Sequence, residues 1–218
     1  MGNASLKKPV NKTADDIAGK WLKQVMKHMS GKEIIKAGIS LYIKELAHAT
    51  KMDLEHIKET PNRFVKALDE LFEGCEVDPA LVLKRSFSEN KYDQLIIVRE
   101  IDFVSMCAHH LLPFIGKVHF GYLPDKKVVG LSKIPRMIEI LAHRPQIQES
   151  LSQQIVEVFQ EVVKPRGCAV VMSANHMCMS IRGVKKAHAM TDTIALEGTF
   201  KTNASLKAEF LAQVAGSR

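Results

Sequence analysis

The chain has 218 residues, 46% of them hydrophobic and 25% charged, an ordinary balance for a globular protein with one substantial core. It holds no run of about 18 apolar residues, so no membrane span is expected, and its polar start, MGNASLKKPVNKTADD, lacks the apolar centre of a secretory signal. The formal charge of +7 suits nucleic acid, anionic lipid or a phosphorylated small molecule, but no block of five or six consecutive Lys or Arg points to a nucleic-acid-binding tail.

Residues 1–30 read as an N-terminal extension, with Trp21, Val25 and Met29 spaced for a short amphipathic helix, and residues 31–218 as the main domain. Segment 32–50 reads as a helix with Ile35, Ile39, Ile43 and Leu46 along one face. Segment 59–74 reads as a second helix, with Thr60 as N-cap, Pro61 in the first turn and Gly74 as the stop. Segments 93–106 and 113–124 have strand character, with Pro113 marking the break between them.

Helical spacing returns at 132–144, through Ile134, Ile138 and Leu141, and at 144–163, where Pro145 sits at the expected start. Segment 167–183 reads as a hydrophobic strand, 191–200 as a last strand and 204–214 as a closing helix. Helices, then strands, two helices and further strands predict an α+β fold with an antiparallel sheet.

The chemistry concentrates in SMCAHHLLPF (105–114) and NHMCMSIRG (175–183), which between them carry Cys107, His109, His110, His176 and Cys178. With no secretory signal expected, the four cysteines indicate a reducing, cytoplasmic setting, where Cys/His clusters more often bind metal or catalyse than form disulfides. Positions three apart on a strand face opposite sides, so Cys107 and His110 meet only if the chain turns between them. His176 and Cys178, two apart, share a face if the strand continues through them.

Mixed Cys and His donors suit zinc. Four donors, with His109 or His176 included, make a closed structural site. Three donors, Cys107, His110 and Cys178, leave a position for water. The spacing leaves both open, together with the plain alternative of buried cysteines and hydrogen-bonded histidines without metal. No CxxC, HExxH or GxxxxGK[ST] pattern is present. His28, His48, His56, His119, His143 and His188 read as surface or packing residues, and Cys75 and Cys168 as small core residues.

CAHH and HMCMSIRG, together with ETPNRFVK and GLSKIPRMIEILAHRPQIQESLSQQI (130–155), closely resemble the GTP cyclohydrolase I family, in order and spacing, over about residues 32–214. The resemblance implies opening of the GTP imidazole ring at C8, release of formate and formation of 7,8-dihydroneopterin triphosphate, the entry to pterin and folate synthesis. It implies Zn²⁺ on Cys107, His110 and Cys178, with one position left for a water that the metal acidifies. His176 matches the acid/base histidine near the imidazole ring, and His109 a catalytic histidine at the ribose.

Glu149 matches the residue that reads guanine, since a carboxylate accepts from both N1–H and the 2-amino group, and Gln148 the neighbouring pocket residue. Ser132, Lys133, Arg136 and Arg182 match triphosphate-binding positions, and Arg63 and Lys66 positions supplied by a neighbouring subunit. The implied fold is the tunnelling fold: an antiparallel sheet with helices on one face, five subunits closing a barrel and two rings stacking into a decamer. Neither nucleic acid nor membrane is an expected partner.

One departure stands at Ala108, where the family usually has glutamate. It removes a carboxylate from behind the metal while leaving the ligands and both catalytic histidines in place. Two other readings fit parts of the pattern. A related cyano-deazaguanine reductase shares the fold but uses a cysteine nucleophile and NADPH. A nucleic-acid-binding module with structural zinc accounts for charge and Cys/His pairs together, and requires steep salt dependence.

Overall fold

The computed structural model describes residues 27–84, 86–88 and 92–216, in two compact units, one ending at Leu68 and the other running from Asp69. The expected amphipathic patch through Trp21 and Val25 lies outside the described residues.

In the first unit, helix α1 (Gly31–Thr50) opens on a capping box. The Glu33 N–H donates to Ser30 Oγ at 3.3 Å and the Ser30 N–H to Glu33 Oε2 at 2.6 Å, which satisfies two helix-end donors reciprocally. Those bonds from Ser30 hold the Glu33 carboxyl below its ordinary pKa. The helix ends at Lys51, whose left-handed φ of 56° lets its N–H reach back to Ala47 and His48. Ala47 alone is buried along α1, and Ile35 and Leu46 of the expected apolar stripe are exposed. A short 3₁₀ turn, Leu54–Ile57, capped by Asp53, leads to α2 (Thr60–Leu71). Pro61 occupies its first turn, where a missing N–H costs nothing.

Gly74 does not stop this helix, which has already ended at Leu71. It lies buried in a 3₁₀ turn, Glu73–Glu76, against the carbonyls of Ile140 and His143, where a Cβ has no room. Cys75, expected in the core, is exposed in the same turn, while Cys168 is buried as expected.

The second unit is built on a five-stranded sheet of order β5-β2-β3-β6-β7. A small ribbon beside it pairs β1 (Ser86–Ser88) with β4 (Lys127–Val129). The main strands are β2 (Ile96–Cys107), β3 (Pro113–Leu123), β6 (Gly167–His176) and β7 (Thr191–Gly198), all antiparallel to their neighbours. The exception is β5 (Pro145–Gln146), which pairs parallel to the end of β2. Pro145 therefore belongs to a strand and not to a helix start; the helix there, α4 (Gln148–Val163), begins three residues later. Helix α3 (Lys133–Ala142) precedes it and α5 (Ala204–Ala215) closes the chain.

A register shift between Val98 and Ile101 places a bulge in β2, with Glu100 at a left-handed φ of 58°. The extra residue changes which positions face the helices, from Ile96 and Val98 before it to Ile101 and Phe103 after it. On this face α3 and α4 bring Ile134, Met137, Ile138, Leu141, Leu151, Ile155 and Phe159 against Val118, Phe120, Tyr122, Val170 and Met172. Each large side chain fully buried there contributes about 1.5–3 kcal/mol.

Helices are not confined to that face. Alternate β6 residues Ala169 and Val171 face the other way and pack with Phe210 and Val214 of α5. The near-continuous apolar run in β6, buried on both faces, makes both coverings necessary.

Candidate metal centre and acid–base site

The turn that joins β2 to β3 brings the first two donors together. The Leu111 N–H donates to the Cys107 carbonyl at 2.8 Å and the Cys107 N–H to the Leu112 carbonyl at 2.9 Å. Leu111 takes a left-handed φ of 49° to close the loop. The Ala108 N–H donates to the Gln146 carbonyl at 2.8 Å, tying the turn to β5. Cys107 Sγ then lies 3.7 Å from His110 Nδ1 and 3.8 Å from His109 Nδ1. Both Nδ1 atoms thus face the Cys107 sulfur, with the two imidazole planes 72° apart and their centroids 6.1 Å apart.

The third donor arrives on a different element from the one expected. β6 stops at His176, and Cys178 sits on a one-turn helix, Met177–Ser180. Leaving the strand carries its thiol back over the β2–β3 turn. The donor atoms of Cys107, His110 and Cys178 all lie within 4.8 Å of one another, and neither His109 nor His176 belongs to that group. Tetrahedral zinc with bonds of about 2.0–2.3 Å requires donors about 3.5–3.8 Å apart, so two thiols and an imidazole at this spacing fit it with small adjustment. Burial and the adjoining Cys107 sulfur push the Cys178 thiol up, with Arg182 opposing. A divalent cation among the three donors reverses that balance and favours thiolate.

His176 is held from two sides beside this group. Its ring stacks on Phe114, its register partner on β3, with centroids 4.7 Å apart and planes 1° apart. Its Nε2 lies 2.7 Å from Gln148 Oε1. Gln148 is buried, and its Nε2 faces the Thr191 carbonyl at 2.8 Å, the Met172 carbonyl at 3.2 Å and Thr193 Oγ1 at 3.2 Å. Acceptors surround the amide nitrogen, so the amide oxygen must be the atom that faces His176. It accepts a proton from Nε2 and leaves Nδ1 as the accepting nitrogen of the neutral ring. Burial lowers the His176 pKa below its ordinary 6.5, and the nearby Glu149 carboxylate opposes the shift.

The expected polar residues fall into three groups. Glu149 opens α4 next to Gln148, close enough to act on His176, and Arg182 acts on Cys178. Ser132, Lys133 and Arg136 occupy the start of α3, where the Lys133 N–H donates to the Gly130 carbonyl at 2.8 Å. Arg63 and Lys66 lie exposed, three residues apart, on α2 of the first unit. Phe114, Thr193 and Ser152 were not singled out in the sequence. Ser152 Oγ and Thr193 Oγ1 lie 2.6 Å apart behind Gln148, and the pairing of β3 with β6 was the signal that could have found Phe114.

Fold and donors together define an α+β protein with a candidate thiolate–imidazole metal centre beside a half-buried histidine. The sequence model of GTP cyclohydrolase I matches residues 36–215, and the chain belongs to that family. A GTP cyclohydrolase 1 of Chlorobaculum tepidum is 51% identical over 152 residues, covering 70% of this chain and 68% of the relative. One from Campylobacter lari is 47% identical over 72% of this chain and 82% of its own length. One from Corynebacterium glutamicum is 42% identical over 87% and 98%. Among solved structures, the apo form of the archaeosine synthase QueF-Like shares 17% identity, with a TM-score of 0.42 over 50% of this chain and 97% of that one, a likeness too slight to bear on function.

Proposed function

We propose that this chain hydrolyses the imidazole ring of GTP at C8, releasing formate and forming 7,8-dihydroneopterin triphosphate. The observation that carries the reading is the Cys107–His110–Cys178 group beside a tautomer-fixed His176, in a chain of the GTP cyclohydrolase I family. Zn²⁺ bound by those three donors supplies a Lewis acid that activates water at neutral pH.

The protein's own groups do the rest. His176, neutral at pH 7 by virtue of its lowered pKa, accepts a proton at Nδ1 and returns it to the opening ring. His109, beside the donor group but outside it, reaches the ribose and assists its opening. Glu149 accepts from guanine N1–H and the 2-amino group, and Gln148 forms the wall behind with its amide committed to His176. Ser132, Lys133, Arg136 and Arg182 hold the triphosphate, which the N-terminus of α3 also favours. Arg63 and Lys66 complete the grip from a neighbouring subunit.

A subunit-built barrel of the tunnelling-fold type fits the sheet's edges. Among the described residues β7 pairs only with β6, and β2 meets β5 only at Met106 and Cys107, which leaves long stretches of strand backbone without a described strand partner on both sides. Val104, Ile115 and Ile194 lie exposed on the same sheet, as expected of a surface that a second copy covers. We infer a decamer of two stacked pentamers. Four free cysteines suit a reducing cytoplasm, and no described helix is long and apolar enough to cross a membrane. Family membership disfavours the reductase and nucleic-acid readings.

Replacing His176 with alanine tests the assignment. Zinc retained with turnover abolished supports an acid–base role; zinc lost on substitution makes His176 a ligand and the site structural.

A further inference from the structure

The two halves of the donor group are held in different ways. Cys107 and His110 ride on a hairpin turn fixed by its own backbone bonds. Cys178 rides on an excursion, residues 177–190, that leaves the sheet after β6 and returns at β7. Backbone bonds fold the excursion on itself, among them Lys186 N–H to the Met179 carbonyl at 2.9 Å and Ile181 N–H to the Met177 carbonyl at 3.1 Å. Apolar burial does little to tie it to the sheet, because Met179, Ile181, Val184 and Met190 are 36%, 65%, 64% and 56% exposed. Lys185 adds a left-handed φ of 52°, a conformation that a lysine does not favour.

Asn175, the penultimate residue of β6, crosses this excursion with its side chain. Its Nδ2 donates to the Ala187 carbonyl at 2.8 Å and the Ala189 carbonyl at 3.1 Å. Its Oδ1 accepts from Ser180 Oγ at 2.7 Å, and that hydroxyl also lies 3.0 Å from the His176 carbonyl. Two carbonyls on one side and a hydroxyl on the other fix the amide's orientation. One side chain thus ties the strand end, the one-turn helix that carries Cys178 and the chain's return to β7.

We propose that Asn175 is a positioning residue for the metal centre: through Ser180, Ala187 and Ala189 it holds Cys178 within reach of Cys107 and His110. The proposal rests on the metal-dependent reading of the same site. Arg182 lies inside the clamped segment, so the same tie sets the distance between metal and triphosphate grip. Groups that orient metal ligands from behind typically matter about 10–100-fold in metal affinity.

The test is zinc affinity by chelator competition on full-length protein, with the visible absorption of the cobalt(II)-loaded form as a second readout. Asn175→Leu, similar in size without polar atoms, is expected to weaken zinc binding about 10–100-fold and to alter the cobalt bands. Ser180→Ala, which removes one tie, is expected to weaken it less. Val214→Ala, in the α5 packing away from the site, is the comparison: it lowers thermal stability and leaves zinc affinity unchanged. Asn175→Leu with wild-type zinc affinity and an unaltered cobalt spectrum overturns the clamp and leaves the proposed function standing. So does a loss no larger than that in Val214→Ala. Wild-type protein that binds no zinc overturns both.

Discussion

His176 donates its Nε2 proton to Gln148 Oε1 across 2.7 Å, and the Gln148 amide nitrogen is surrounded by acceptors on β6 and β7. A buried amide so committed cannot turn to serve a ligand without stranding polar groups. Its contribution to turnover therefore passes through the orientation and tautomer of His176. Gln148→Leu is expected to lower kcat about tenfold or more while KM for GTP stays within about twofold, since acid–base catalysis contributes about 10²–10⁴-fold. Steady-state kinetics separate the two parameters; a rise in KM with kcat intact makes Gln148 a direct purine contact.

His176 also sets a pH dependence. Burial depresses its pKa below 6.5, with Glu149 opposing. Above pH 6.5 the ring is neutral in folded and unfolded chains alike. As pH falls through 6.5 towards the folded pKa, the unfolded chain takes the proton first, so stability declines on the acid side. The acid limb of kcat/KM is expected to fall below pH 6.5, and a metal cation nearby moves it the same way. Urea unfolding at several pH values, repeated with His176→Gln, measures the stability component. It should shrink in the variant.

On the proposed reading Glu149 carries purine selectivity: a carboxylate matches two donors on guanine, and inosine offers one. Glu149→Ala is expected to lower kcat/KM for GTP by about 100-fold or more and to narrow the preference for GTP over ITP. Parallel assays on the two nucleotides decide it, and an unchanged preference assigns guanine reading to another group.

Gly116 keeps β3 and β6 close, two residues from the Phe114–His176 pair. A Cβ there meets the Ser173 carbonyl and the Ala174 backbone, neither of which can retreat without breaking the ladder. Gly116→Ala is expected to cost about 2–3 kcal/mol, about 5–10 °C in Tm for a chain of this size. A thermal melt within 1–2 °C of wild type shows that the strands separate more readily than this packing allows.

Much of this was legible in the sequence because the long elements are strongly periodic. α1, β2, β3, β7 and α5 fall within a few residues of their expected bounds. The differences have local causes. Pro145 reads as a helix start by its own chemistry, but the end of β2 recruits it into a strand. Gly74 reads as a stop signal, whereas the approach of Ile140 and His143 carbonyls is what requires glycine. The hydrophobic run through 167–183 hides the point where β6 ends, and with it the helical turn that swings Cys178 into place.

At the site, the Cys/His segments announced their donors, and their spacing left open whether three or four would meet. In the structure the donor atoms of Cys107, His110 and Cys178 gather within 4.8 Å of one another, a group that includes neither His109 nor His176, whose Nε2 faces Gln148. The stacking of Phe114 and the Asn175 clamp depend on strand register and on a loop's return path, and neither leaves a periodic trace in the sequence.

The most direct test measures zinc content and GTP turnover on one preparation. The account expects one zinc per chain, formate released from GTP in step with 7,8-dihydroneopterin triphosphate, and loss of both metal and products when Cys178 is replaced by serine. Fully zinc-loaded protein that releases no formate, or formate release undiminished after zinc is stripped, contradicts it.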